Sequence, residues 1–268
     1  IIAFGIMALI GIITAIEAMN QSLKESFSSM GANSFSIRYK DSRARMGPNS
    51  DEVTKTKRGL KEKKSNLNKP LRLEEVERFK TNYSFPGAMV SVYRRGPGGQ
   101  ELRFEDRKTN PQILIWGGDE NYLMVNGYTI EQGRNLNNLD VQSGRNVCLL
   151  GSNVATRLFG ERPERSIDKI IKVGSTPYRV IGLLKSKGSS AMLRQDDVIV
   201  TTYSNVRRYA NIGPTYLVGV SVTDINQLPV ATDEATSVFR SIRKLEPKED
   251  NNFVIEKSDK FAEMFIGF

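Results

Sequence analysis

An uncharged, strongly apolar run at the start of the chain constrains the fold more than any other sequence feature. Residues 1–16 carry no charge, and Thr14 is their only polar side chain. A helix that crosses a bilayer needs roughly 20 mostly apolar residues, whereas the apolar part of a secretory signal is shorter and ends at a small-residue cleavage site. Here the run continues from Glu17 into an amphipathic segment. We therefore expect residues 1–31 to be the end of a first transmembrane helix that continues as a helical stalk.

The stalk segment carries a heptad pattern, with seam positions separated alternately by four and three residues. Asn20 is its one polar member, and Gly31 supplies a helix stop. The simpler interpretation is that the seam packs against another helix of the same chain. The alternative is a contact between two protomers, in which a buried asparagine fixes the register. The predicted seam consists of Leu9, Ile13, Ile16, Asn20, Leu23, Phe27 and Met30.

The other end of the sequence mirrors the first. Residues 258–268 become apolar, which predicts the start of a second stalk or transmembrane helix. Residues 32–257 would then form a domain on one side of the membrane. The net charge of +9 does not oppose this topology, because long domains cross membranes largely regardless of their charge.

The composition argues against enzymatic chemistry. The chain has no histidine, which excludes Ser-His-Asp and Cys-His hydrolysis and histidine-ligated zinc sites. The adjacent carboxylates at Glu74–Glu75 and Asp196–Asp197 point apart on a helix or strand. No phosphate-binding P-loop sequence is present. We predict no catalytic, metal or cofactor-binding residue in this chain.

A basic segment spans residues 41–70, with nine Lys or Arg and four Asp or Glu residues, a net charge of +5. No aromatic side chain is interleaved with the charges, so the composition favours a mobile, solvated loop over a nucleic-acid site. Weak attraction to anionic lipid headgroups is the alternative. We expect no nucleic-acid partner.

Two strand–helix–strand units flank the middle of the chain. The first has a strand at 34–40, a helix from Leu73 and a strand at 88–93, followed by a hairpin from Gly96–Gly99 to a strand at 101–104. The second has a strand at 216–222, a helix from Asn226 and a strand at 252–256. Together they predict one βαββαβ layer, with the first and last strands in the same sheet and the helices on one face.

The segment between these units predicts a separate, inserted subdomain. It contains the strand Val147–Leu150, a helix at 152–159 and three further strands joined by tight turns. Gly151 would lie at the strand-to-helix junction, and Arg134 could pair with Asp140 across a turn. The simplest interpretation is that these residues specify turns and packing.

The ordered set of residues in this segment resembles the MacB/FtsX-like permease family of ABC transporters, in its extracytoplasmic core domain. The resemblance consists of a Gly-Arg pair, a downstream Asp, a strand that leads into a short Gly-initiated helix, and a later Val-Ile-Gly strand. The residues that match are Gly133, Arg134, Asp140, Val147, Leu150, Gly151, Ala155, Leu158, Phe159, Val180, Ile181, Gly182, Lys187 and Gly188.

The resemblance implies an α+β fold in which a membrane-helix stalk carries a βαβ-type porter-like subdomain with an inserted mixed α/β subdomain, called sabre in this family. The porter-like part would comprise residues 32–124 and 215–257, and the sabre-like part residues 125–214. The resemblance also implies a homo- or heterodimeric permease in the bacterial inner membrane, with residues 32–257 in the periplasm. A separate or fused cytoplasmic ATPase would bind ATP and Mg, and this chain itself would need no cofactor.

Such permeases couple ATP hydrolysis to periplasmic work by mechanotransmission. The resemblance therefore implies one of three activities: efflux, the export of a lipoprotein or peptide, or the control of cell-wall hydrolases. The partners it implies are an ABC ATPase, a second permease protomer, the lipid bilayer and a periplasmic adaptor or other periplasmic protein. A different class of function, a membrane-tethered sensor between two transmembrane helices, fits the same paired apolar ends.

Overall fold

The computed structural model describes residues 33–40, 69–110, 112–187, 195–209 and 215–257. The predicted stalk, its seam, the apolar C-terminal segment and Gly188 lie outside the described residues. Within the described ranges, no helix has the length and apolar character needed to span a bilayer. The last two residues of the predicted loop, Lys69 and Pro70, are described, and the Arg243 guanidinium donates hydrogen bonds to both of their carbonyl oxygens.

The described ranges contain twelve strands and six α-helices. The strands are β1 (Ser34–Tyr39), β2 (Ala88–Arg95), β3 (Leu102–Phe104), β4 (Arg107–Lys108), β5 (Leu114–Gly118), β6 (Ile130–Gly133), β7 (Val147–Leu150), β8 (Ile170–Val173), β9 (Thr176–Leu184), β10 (Val198–Thr202), β11 (Leu217–Val222) and β12 (Phe253–Lys257). The helices are α1 (Leu73–Asn82), α2 (Tyr122–Val125), α3 (Asn138–Ser143), α4 (Ser152–Phe159), α5 (Tyr203–Val206) and α6 (Leu228–Ile242).

The two flanking units share one layer, as predicted, and their four strands are antiparallel in the spatial order β12–β1–β11–β2. The first and last strands are direct neighbours, so their predicted place in one sheet is confirmed. Helices α1 and α6 pack against the same apolar cluster as these strands, and the rings of Phe79 and Phe239 meet edge to face at 5.7 Å.

Helix α1 shows how the sequence sets an element and its packing. Val76 and Phe79 are spaced by three residues and are both fully buried, so they lie on the face that covers the sheet. The Glu75 side chain accepts a hydrogen bond from the Arg72 backbone N–H at 2.8 Å, which satisfies a backbone donor at the start of the helix. The Tyr83 hydroxyl, just beyond the helix, donates to the Ala231 carbonyl at 2.9 Å and ties α1 to α6.

The sheet does not stop at β2, whereas the separate subdomain predicted for the middle segment required its strands not to continue the flanking sheet. The end of β2 pairs with β5 through Arg94–Gly117 and Arg95–Trp116, and the strand path continues through β10, β7, β9, β8 and β3 to β4, with β6 on β9. The predicted hairpin between β2 and residues 101–104 is wrong, because β3 pairs with β4 and β8.

The described residues form three buried apolar clusters. One lies between the flanking strands and α1 and α6, and the other two involve the middle strands. Cys148 and Leu150 belong to one of these two clusters and Leu149 to the other, so β7 is buried on both faces. Burial on both faces explains why residues 147–150 are continuously apolar rather than alternating. Strand β3 pairs with β8, and strand β5 pairs with β10. We therefore propose that the inserted unit begins near residue 96 and not at 125.

Candidate functional site

The matching residues around Arg134 come together where β6 meets β9. The Arg134 guanidinium donates to both carboxylate oxygens of Asp140, at 2.7 and 3.4 Å, so the predicted pair is confirmed. The Asp140 side chain is fully buried, whereas Arg134 is about half exposed. Asp140 also accepts from the Asn137 backbone N–H at 3.2 Å, and the Asn137 side chain accepts from the Asp140 N–H, which caps α3.

The electrostatic state of Asp140 follows from these contacts. Burial by itself would raise the pKa of the carboxyl, but hydrogen bonds from Arg134 and from the Asn137 backbone, with the charges of Arg134 and Arg145, lower it below its usual value. Asp140 is therefore a permanent anion near neutral pH. It fixes the turn between β6 and α3 and carries no proton for transfer.

Two glycines permit the close approach of β6 to β9. Gly133 has a φ of +84°, and a Cβ there would lie well inside contact distance of the Ile181 carbonyl oxygen. A Cβ at Gly182 would lie 2.7 Å from the Arg134 carbonyl oxygen. Arg134 N–H in turn donates to the Ile181 oxygen at 2.9 Å. Only glycine fits both positions without moving the backbone.

Several further matching residues pack the β7–α4 junction. Gly151 passes directly against the Asp196 carbonyl oxygen, and its own N–H donates to Val198 at 2.8 Å. Ala155 and Leu158 lie on the buried face of α4. Phe159, at the end of the helix, is half-buried against Phe104, with ring centroids 4.4 Å apart. These residues shape the fold of the inserted unit.

A charged cluster that sequence reasoning missed lies at the junction between the flanking unit and the inserted one. Asp119, just after β5, is almost fully buried and accepts four hydrogen bonds. The donors are the Ser91 hydroxyl at 2.7 Å, the Val92 N–H at 2.8 Å, the Asn121 N–H at 3.1 Å and the Lys80 ammonium at 2.8 Å. We call Lys80, Ser91, Asp119, Glu120 and Asn121 the junction cluster.

Lys80 links the two units, since it reaches from α1 to both Asp119 and Glu120, the latter at 2.7 Å. Burial would lower the pKa of its ammonium, but the two carboxylates outweigh burial and raise it. Lys80 therefore stays charged and paired. The sequence does carry a signal for this cluster. Asp119 directly follows a strand that ends in two glycines, and an acidic side chain at the end of a buried strand needs polar partners.

Lys187, which is among the matching residues, lies over the Tyr128 ring at 4.0 Å and donates to the Asn126 carbonyl at 2.7 Å. Burial lowers its pKa to about 8, against the opposing effect of Asp196. The Lys187 backbone N–H and the Ser186 hydroxyl donate to Asp196 at 2.9 and 2.6 Å. These contacts anchor the end of β9.

No group of three or more Cys, Asp or Glu side chains within the described ranges could hold a metal ion. Cys148 is fully buried, and burial raises the pKa of its thiol far above the usual range, so it is not a nucleophile. The described site therefore consists of an ion pair with a buried carboxylate inside the inserted unit and a charged junction cluster between the units.

Comparison with known proteins gives a consistent result. A family model described as the MacB-like periplasmic core domain matches residues 1–238. The macrolide export ATP-binding/permease protein MacB of Chlorobaculum tepidum is 30% identical over 169 residues, which are 62% of this chain and 25% of that protein. MacB of Bdellovibrio bacteriovorus is 25% identical over 234 residues, 87% of this chain and 33% of that protein. The chain thus spans a quarter to a third of the length of these relatives.

Among solved structures, the fold resembles the periplasmic region of MacB from Actinobacillus actinomycetemcomitans. The TM-score is 0.60 at 18% sequence identity, and the match covers 90% of this chain and 96% of that one. At this identity the likeness concerns the fold.

Proposed function

Since this chain belongs to the MacB-like periplasmic core domain family, we propose that it is the extracytoplasmic domain of an ABC transporter permease and couples cytoplasmic ATP hydrolysis to work outside the membrane. The observation that carries the proposal is the family match over residues 1–238 together with a fold that covers nearly all of a MacB periplasmic region. In this role residues 32–257 lie on the periplasmic side of the inner membrane, and residues 1–31 and 258–268 lead into it.

The proposed mechanism is mechanical. ATP and Mg bind to a partner or fused ATPase, and closure of the membrane helices displaces the stalks. The described fold supports such a role, because β1 and β12, which lie next to both stalk segments in sequence, are hydrogen-bonded neighbours in one sheet. That sheet continues into the inserted unit, and the junction cluster braces the connection, so a displacement at β1 would move the whole domain.

The work performed would be efflux or the export of a lipoprotein or peptide, in a homo- or heterodimer of permease protomers. The two curated relatives are named for macrolide export, and we propose export as the class of activity without assigning a substrate. A periplasmic adaptor or another periplasmic protein would complete the assembly.

The proposal is tested in the full transporter by stalk cross-linking. After removal of Cys148, single cysteines are placed at Leu23, on the predicted seam, and at Lys24, on the predicted outer face. Cross-linking between protomers is measured with and without ATP. If the seam is a protomer contact, cross-linking at Leu23 should rise with ATP; if it packs within one chain, cross-linking at Lys24 should change instead. Equal cross-linking in both states at several stalk positions would indicate a static tether, as in the sensor alternative, and would contradict the proposal.

A further inference from the structure

One face of the sheet is open at the end farthest from β12. On β8, β3 and β9 the inward side chains, among them Leu102, Ile171 and Tyr178, are buried, whereas their outward neighbours are exposed. We call this outward surface the basic strip. Its members are Arg103, Lys108, Ile170, Lys172, Pro177 and Arg179.

The strand register places these cations side by side. Arg103 lies directly opposite Lys108 on β4 and directly opposite Lys172 on β8, so three positive charges form a row across three adjacent strands. Directly opposed side chains on a sheet have Cβ atoms about 5 Å apart, and like charges there destabilise the pair. Arg179 adds a fourth cation and lies opposite Ile170.

Within the part of the chain that the structure describes, one acidic side chain forms ion pairs with this row. Glu101 pairs with the Arg103 guanidinium and lies 3.8 Å from the Lys108 ammonium, which leaves the strip with a net charge of +3. Arg103 and Lys108 nevertheless keep 61% and 68% of their side-chain surface exposed. Ile170, also 59% exposed, and Pro177 add an apolar patch beside the cations. Arginine next to apolar surface is typical of protein interfaces.

The place of the strip in the sheet and its composition both bear on the kind of partner that it could bind. Eight strand-to-strand steps separate β1 from β3 along the sheet path. At about 4.8 Å per step, the strip lies up to roughly 40 Å from the strand that follows the first stalk segment. Under the proposed function, on which this step rests, the strip therefore lies at the far end of the sheet path from the two strands that join the stalk segments. The described strip also lacks aromatic side chains on which nucleic-acid bases could stack.

We propose that the basic strip is a docking surface for an acidic segment of a partner protein. The partner's carboxylates would pair with Arg103, Lys172 and Arg179, and an apolar side chain would cover Ile170. Such a contact would neutralise the row of like charges that the strand register creates. It would also place the partner at the end of the domain where a displacement of the stalks is carried farthest.

The direct test uses the intact permease in detergent and, as probe, a fluorescein-labelled oligoglutamate peptide that carries a photoreactive group. The variant Arg103→Glu/Lys172→Glu/Arg179→Glu should bind the peptide about tenfold or more weakly than the wild type. The control Arg78→Glu/Arg207→Glu/Lys248→Glu changes the net charge equally at exposed positions outside the strip and should bind within about twofold of the wild type. A milder variant with Gln at the three strip positions, compared by melting temperature, separates loss of binding from loss of folding.

Cross-linked positions are mapped by mass spectrometry. The proposal expects them at residues 101–108 and 170–179, and it is overturned if they map to the basic segment at 41–70 or if the strip variant binds like the control. Tighter binding of phosphatidylglycerol vesicles or of single-stranded DNA to the strip would overturn the choice of a protein partner. Stalk cross-linking with and without ATP should be unchanged in the strip variants, so failure of this proposal is distinguishable from failure of the proposed function.

Discussion

At the scale of single residues, the matching positions act through backbone geometry and burial. Gly133 and Gly182 allow two strands to touch, and Asp140 holds the adjoining turn with a charge that burial would otherwise disfavour. None of the three needs an exposed reactive group to do this. Their effects should therefore appear as changes in folding stability.

Replacement of Gly133 by alanine should lower the free energy of unfolding by about 2 kcal/mol or more. The residue would have to keep a positive φ and place a Cβ against the Ile181 carbonyl oxygen. The matched control is Gly98→Ala, because a Cβ at Gly98 meets nothing within 4 Å. The control should change stability by no more than about 0.5 kcal/mol in urea denaturation. Equal effects of the two substitutions would contradict this account of the β6–β9 contact.

Replacement of Asp140 by asparagine should cost about 2 kcal/mol at neutral pH, because it leaves Arg134 without its anionic partner and weakens the helix cap. The folded-state pKa of Asp140 is lowered, so its contribution is fully present above the unfolded pKa, near 4, and is lost as pH falls through the folded pKa. The stability difference between wild type and variant should therefore shrink in denaturation curves recorded from pH 7 down to pH 3. The exposed Asp250→Asn is the control, and a pH-independent difference would show that the ion pair is not its cause.

At the scale of elements, the junction cluster ties α1 to the segment after β5. Lys80→Met removes the cation that neutralises buried Asp119, although three other donors remain, so we expect a loss of about 2 kcal/mol. Arg78→Met, on the exposed side of the same helix, should be nearly neutral. A double-mutant cycle with Asp119→Asn should give a coupling energy of at least about 1 kcal/mol. Additive effects would mean that the two side chains do not stabilise the junction together.

The sequence predicted the strands and helices of the two flanking units and the common layer that they form. Each flanking strand–helix–strand unit has local periodicity, and the preference of chains for simple crossovers then predicts their common layer. The Gly96–Gly99 turn predicted a local hairpin, but the end of β2 pairs with β5, and Tyr93 packs there against Trp116. Periodicity shows that a strand has a buried face and does not show which strand covers it. The junction cluster was missed for the same reason, since Lys80 and Asp119 are neighbours only after this pairing.

At the scale of the whole molecule, the described strands form one path from β12 to β4, with β6 attached to β9, although the apolar residues divide into clusters. The burial of Tyr93 in a cluster with Val147 and Val198 joins the flanking unit to the inserted one. A domain built in this way should move as one body when its stalks move. This expectation is the central claim of the proposed function.

The measurement that tests this claim most directly is the distance between spin labels in the intact transporter, with and without ATP. Cys148 is first removed, and spin labels are attached at two exposed positions, Ser237 on α6 and Glu164 in the inserted unit. Diluting labelled chains with unlabelled ones ensures that the measured Ser237–Glu164 distance lies within one protomer. The account predicts that this internal distance stays constant within about 2 Å, whereas the distance between Ser237 in the two protomers changes with ATP. A change in the internal distance, or no change between protomers, would contradict it.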